Sequence, residues 1–185
     1  MLVFDKVSPE NTQVALKLAI DRAKDLSTDI VLSSSTGASA FAALEYAQKV
    51  SFPGRIIVIT SVWGMKARGE NHMSDKNRQK LHDAGVQIVT AAHTLSGTER
   101  SLSGKFNGVY PVEIMAHTLR LFCEGVKVCV EIASMALDAG AIKEPHPVIS
   151  LGGTGRGLDT ACIITPGYSA KIFETRIHEI LCKPY

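Results

Sequence analysis

The sequence predicts an α/β domain with a mostly parallel, mixed sheet carrying helices on both faces, and three observations predict it. Short apolar runs of strand length alternate with segments of helical period along the chain, and segments rich in hydroxyls and glycine follow those runs. The third is size: 185 residues, 45% hydrophobic and 21% charged, suit one core. Repeated strand–helix alternation gives a parallel sheet because right-handed crossovers lay each helix over the strands. A chain of this length buries roughly 70% of the surface exposed by its unfolded form, so a single domain over residues 1–185 is expected.

Ser8-Pro9-Glu10 is a helix-start signal. In the segment after it, Gln13, Lys17, Asp21 and Lys24 form a polar stripe opposite Ala15, Leu16, Ala19, Ile20 and Ala23. Asp29 to Leu32 is a strand ending in hydroxyls and Gly37, after which Ala40, Phe41, Ala43, Leu44 and Ala47 repeat with helical period. Arg55 to Thr60 is the next strand, followed by a helix from about Ser74 that Gly85 closes. Val86 to Thr90 is a strand, and Ala92 to Val109 then forms the longest segment without periodicity. Loops of that length in a compact domain are functional or disordered, and this one reads as a binding loop or lid over Ala92 to Ser103.

Tyr110-Pro111 opens a helix presenting Val112, Met115, Leu119 and Phe122, with Gly125 as its stop. Val126 to Glu131 reads as a strand, and a short helical stretch follows it to Gly140. Val148 to Leu151 and Ala161 to Ile164 are strands, and Ile177 to Leu181 is an edge strand. The last strands are joined by too little chain for a helix, which makes the sheet mixed.

Twenty basic and 18 acidic residues are dispersed along the chain, so no basic patch is expected for a nucleic-acid backbone. No apolar run approaches the ~20 residues needed to cross a bilayer, and the N-terminus lacks a signal-peptide layout. No membrane partner and a cytoplasmic location are expected. Cysteines 123, 129, 162 and 182 form no Cys-x-x-Cys pair and read as reduced core residues. The histidines lack metal-ligand spacing, so no metal is assigned.

The chemistry gathers in the segments that follow strands. Ser33-Ser34-Ser35-Thr36-Gly37-Ala38 links a strand to a helix, where free N–H groups and the positive end of the helix dipole face an anion. Serine and threonine also cap helices, but one hydroxyl suffices for a cap. Gly153-Thr154-Gly155-Arg156 follows another strand; its glycines permit close backbone approach and Arg156 offers a planar guanidinium, although a plain turn accounts for the glycines equally well. Trp63 and Glu70 lie in the loop before Met73, where the indole suits stacking on a ring or simple packing. Thr60, Thr94 and Ser101 add hydroxyls, and Glu131 with Met135 completes the candidate set, Glu131 as a ligand carboxylate or a helix cap. Loops after successive parallel strands emerge at one edge, so Ser33–Gly37, Trp63–Met73, Ala92–Ser103, Glu131–Asp138 and Gly152–Gly157 are expected to border one crevice. No nucleophile with a paired base is recognisable.

Asp29 to Ala40, as Asp-Ile-Val-Leu-Ser-Ser-Ser-Thr-Gly-Ala-Ser-Ala, resembles the strand and loop of the pyruvate kinase C-terminal domain that hold an effector phosphate. With Glu10-Asn11-Thr12, Gly69-Glu70-Asn71, Leu95 to Ser101, Val126 to Ile142 and Gly152 to Thr160, nearly the whole chain is similar to a stand-alone family of such domains from archaea and other microbes. The resemblance implies a three-layer α/β/α fold and a bound flavin mononucleotide (FMN) at the strand-end site. Pyruvate kinase activity is not implied, because the resemblance does not include the barrel that carries it. Two functions from different classes follow: an FMN-binding flavoprotein, with oxidoreductase activity open, or a non-catalytic sensor of a phosphorylated small molecule. Homo-oligomerisation is left open.

Overall fold

A computed structural model describes residues 1–185. The elements are β1 (Leu2–Phe4), α1 (Asn11–Asp25), β2 (Ile30–Ser33), α2 (Ala38–Lys49), β3 (Ile56–Ile59), α3 (Asp75–Asp83), β4 (Gln87–Val89), α4 (Glu99–Phe106), α5 (Pro111–Arg120), α6 (Glu124–Asp138), β5 (Val148–Gly152), β6 (Thr160–Thr165) and β7 (Arg176–Pro184). A 3₁₀ helix over Ser169–Glu174 joins the last two strands. The seven strands form one sheet in the order β1-β7-β6-β5-β2-β3-β4. β6 pairs antiparallel with both neighbours and every other pair is parallel, so β6 alone is reversed and the sheet is mixed as expected.

Strand alternation sends successive side chains to opposite layers. Ile30, Leu32, Ile56, Val58, Ile149 and Leu151 face α1, α2 and Leu81 of α3. Val31, Ile57, Ile59 and Val148 face Ile132, Met135 and Ala136 of α6. A third apolar cluster joins α6 to α5 through Val126, Cys129, Ala133 and Ala116. The result is the α/β/α sandwich, with α6 as the principal helix of its second layer.

α6 corrects the sequence reading, in which Val126 to Glu131 is a strand and Gly125 a helix stop. The run lies inside a helix buried on nearly every side, and a continuous apolar run does not distinguish that state from a buried strand. Gly125 sits in the first turn of α6, where a Cβ would overlap Thr160. Asp138, expected at the carboxyl edge of the sheet, lies at the other edge because α6 runs back across it; there its carboxylate accepts from Ser169 N at 3.1 Å. Ala92 to Val109 is not structureless either, since it contains α4. Ile177 to Leu181 belongs to the longer β7, whose final residues Cys182 to Pro184 are covered by β1.

Candidate functional site at the carboxyl edge of the sheet

β2 lies between β3 and β5, and from it the chain proceeds outward through β3 and β4 before returning on the other side as β5. The carboxyl ends of β2 and β5 therefore flank the point where the winding reverses, where open α/β sheets hold their ligands. The two segments singled out for anion chemistry, Ser33–Ala38 and Gly153–Arg156, follow these two strands. α1, α2, α3 and α6 all turn their N-termini toward this edge.

In the first loop, Ser34 N donates to Ile59 O at 3.0 Å, holding the chain to β3 as it leaves the sheet. Gly37 takes φ +98° at the N-cap of α2, a left-handed conformation that strains any residue with a Cβ. The buried Ser34 Oγ accepts from Ala40 N at 3.4 Å and Thr36 Oγ1 from Ala38 N at 3.5 Å; both are long and leave the first turn weakly capped. Ser35 and Thr36 are exposed. Only one buried hydroxyl is thus committed to capping. Asn77 Nδ2 donates to Thr36 O at 3.0 Å and fastens the loop to α3, which Ser74 caps by accepting from Asn77 N at 3.2 Å.

The second loop spends its glycines on its own closure. A Cβ on Gly153 would overlap Gly157 O, and one on Gly157 would overlap Thr12 of α1. Thr12 Oγ1 accepts from Leu158 N at 3.0 Å, and the buried Asp159 accepts from Thr154 N at 3.0 Å and Thr160 Oγ1 at 2.8 Å. Gly155 and Arg156 remain at the exposed tip.

The other candidates divide. Thr60 Oγ1 is buried 2.6 Å from Thr90 Oγ1, so the ends of β3 and β4 share a closed hydroxyl pair. Trp63 is 52% exposed with the Arg78 guanidinium 5.7 Å from its ring centre. Glu70 is paired with Lys66 at 2.8 Å, which holds its carboxyl below the usual range. Met73 and Met135 are buried in core clusters on opposite faces of the sheet, so they do not form one apolar wall of the crevice. Thr94 is half-buried and Ser101 exposed on α4.

Glu131 is not the helix cap expected as one of its two roles, since it lies in the middle of α6. Its carboxylate is buried in α6 and accepts from Lys127 Nζ at 2.6 Å and Leu95 N at 3.0 Å, with His93 Nδ1 at 3.3 Å. Burial raises its pKa, but the His93 hydrogen bond and the Lys127 charge outweigh burial and hold the carboxyl below the ordinary value. This cluster fixes residues 93–95, so the first part of the expected lid is anchored: Leu95 is 3% exposed. The signal for it was the spacing Lys127, Glu131, Ser134, Asp138, which is one stripe of a helix. Two depressions lie elsewhere. One is lined by Leu95, Glu99, Arg100, Glu113 and Arg120 between α4 and α5, and the other is at the opposite edge by Phe52, Arg55 and Val86.

The sequence matches the family profile described as "Pyruvate kinase, alpha/beta domain" over residues 13–164. This chain belongs to that family. The match runs from α1 to the end of β6, and so includes both loops at the winding reversal. Among solved structures, a pyruvate kinase from Cryptosporidium parvum is similar at 15% identity and a TM-score of 0.44, over 89% of this chain and 24% of that one. The pyruvate kinase alpha/beta domain described here thus spans about a quarter of that protein's length. No helix of the domain is long and apolar enough to cross a membrane.

Proposed function

We propose that this pyruvate kinase alpha/beta domain binds a phosphorylated small molecule, with its phosphate on Ser33–Gly37, and that the ligand is FMN. The observation that carries the reading is the loop itself. At the winding reversal, Ser35 and Thr36 expose neutral donors beside a weakly capped helix N-terminus, and Gly37 holds the left-handed turn that lets the backbone approach an anion. The residues fit FMN unevenly. The phosphate end has the donors just described, whereas the ring end has one exposed flat surface, Trp63, since Met73 and Met135 are in the core. Bound flavin would supply redox chemistry; the chain's own residues would bind the phosphate and orient the ring.

The sensor reading rests on the segment attached to this edge. His93 and Leu95 bind Glu131, and the following α4 and α5 expose Leu102, Phe106 and Ile114, apolar surface through which occupancy could reach a partner. Calorimetric titration with FMN tests the binding, and Gly37→Val should abolish it while the circular dichroism spectrum is retained. Unchanged affinity in Gly37→Val would place the phosphate elsewhere. Turnover with a reduced nicotinamide donor would favour the oxidoreductase, and FMN-dependent association without turnover the sensor.

A further inference from the structure

Arg78 is the one guanidinium of the chain with buried nitrogens left without a partner, and the free nitrogens are Nε and Nη2. These two form the side-on edge of the guanidinium, whose parallel N–H groups match the two oxygens of a carboxylate or phosphate. The third nitrogen is occupied: Nη1 donates to Thr90 Oγ1 at 3.2 Å, and Thr90 is itself fixed by Thr60 Oγ1 at 2.6 Å. The fork is therefore held at the ends of β3 and β4 by a rigid pair of hydroxyls while its binding edge is unused.

Its surroundings fit a receptor that opens. Trp63 lies over the guanidinium at 5.7 Å, yet 52% of Trp63 faces solvent. The loop that carries it is clamped at its base, where Asn71 Nδ2 donates to Ser61 O at 2.7 Å and Ser61 Oγ meets His72 Nδ1 at 2.9 Å. The loop's upper part turns through Gly64 at φ +83° and Gly69 at φ +77°, with open space around both. A cation stacked under a half-exposed indole is weakly held compared with a charge-assisted bidentate pair, so an entering oxyanion can displace the ring. The neighbouring residue Asn77 is bonded to Thr36 O, which puts this fork next to the hydroxyl loop along the same edge.

We propose that Arg78 is a receptor for a carboxylate or phosphate oxyanion, closed by Trp63 when empty. The site uses no residue of the hydroxyl loop but shares Trp63 with the ring surface proposed above, so it is tested without FMN. Two readouts report on it. Trp63 is the sole tryptophan, so its fluorescence reads this site directly; the Arg78 Nε–H resonance in the wild-type protein reads the fork. Titration with sodium phosphate and with sodium acetate, at ionic strength held constant by sodium chloride, should give a saturable fluorescence change and a saturable shift of the Nε–H signal. A response to phosphate alone assigns the tetrahedral anion, and a response to acetate assigns the carboxylate. Arg78→Lys keeps the charge and removes the fork, and should weaken the response at least ten-fold, whereas Ser35→Ala should leave it unchanged. If neither signal changes beyond the chloride reference in the wild type, the proposal fails. It fails equally if Arg78→Lys responds as the wild type does, or if the Nε–H signal stays fixed while the fluorescence changes.

Discussion

Glu131 shows what one buried carboxylate does in this fold. Three donors from two segments converge on it: Lys127 from its own helix, and His93 and Leu95 from the chain that follows β4. Removing one partner of a buried pair leaves the other charge uncompensated, at about 3–5 kcal/mol. Glu131→Gln should therefore lower stability by about that amount in urea unfolding, and adding Lys127→Met should restore part of it. The pH dependence has a definite sign. The folded pKa lies below the unfolded value of about 4.3, so this contribution is complete above that pH and is lost as pH falls through the folded pKa. Glu131→Gln should lose less stability than the wild type on acidification below about pH 4.3, and equal slopes would contradict the assignment. The thiols give a second residue-scale expectation. Burial pushes Cys182 up to about 12 and Cys129 well above the ordinary value, while Cys123 alone among the cysteines is only partly buried. Mass spectrometry after brief iodoacetamide treatment at neutral pH should find the label on Cys123 first.

At the scale of elements, the segment after β4 is the informative one. Its Leu95 N–H is a buried donor to a carboxylate, so in hydrogen exchange Leu95 should be protected far longer than the exposed α4 residues Leu102 and Phe106. Equal exchange across the segment would mean that the Glu131 cluster does not anchor it. This anchoring was not legible beforehand, because Ser, Gly and Thr composition signals a loop whether or not a distant carboxylate binds its backbone. Helices with a polar stripe, such as α1, were legible from periodicity, as was β2 with the loop and helix after it. α6 was not, since twelve of its fifteen residues are buried and its polar stripe is covered. β1 escaped because three residues carry no periodicity and owe their strand to β7.

At the scale of the molecule, the winding order matters more than any single motif. Because β5 returns beside β2, the loops after both strands meet at one edge although they lie more than a hundred residues apart in sequence. The sequence indicated that the loops after β2, β3, β4 and β5 share that edge, but it misplaced Glu131–Asp138, which lies in α6, and did not indicate that Met73 and Met135 face opposite cores, which depends on pleat and helix phase. The central claim is that an anion sits on the hydroxyl loop and a ring lies away from it, and comparing FMN with riboflavin separates the two ends. Calorimetric titration of the wild-type protein and Ser35→Ala with both ligands tests it directly. The account predicts that Ser35→Ala loses about 1.5–3 kcal/mol of FMN binding, as for a hydrogen bond to a charged group, while riboflavin, which lacks the phosphate, binds both proteins alike. Equal losses for the two ligands, or no binding of FMN to the wild type at micromolar concentration, would contradict it.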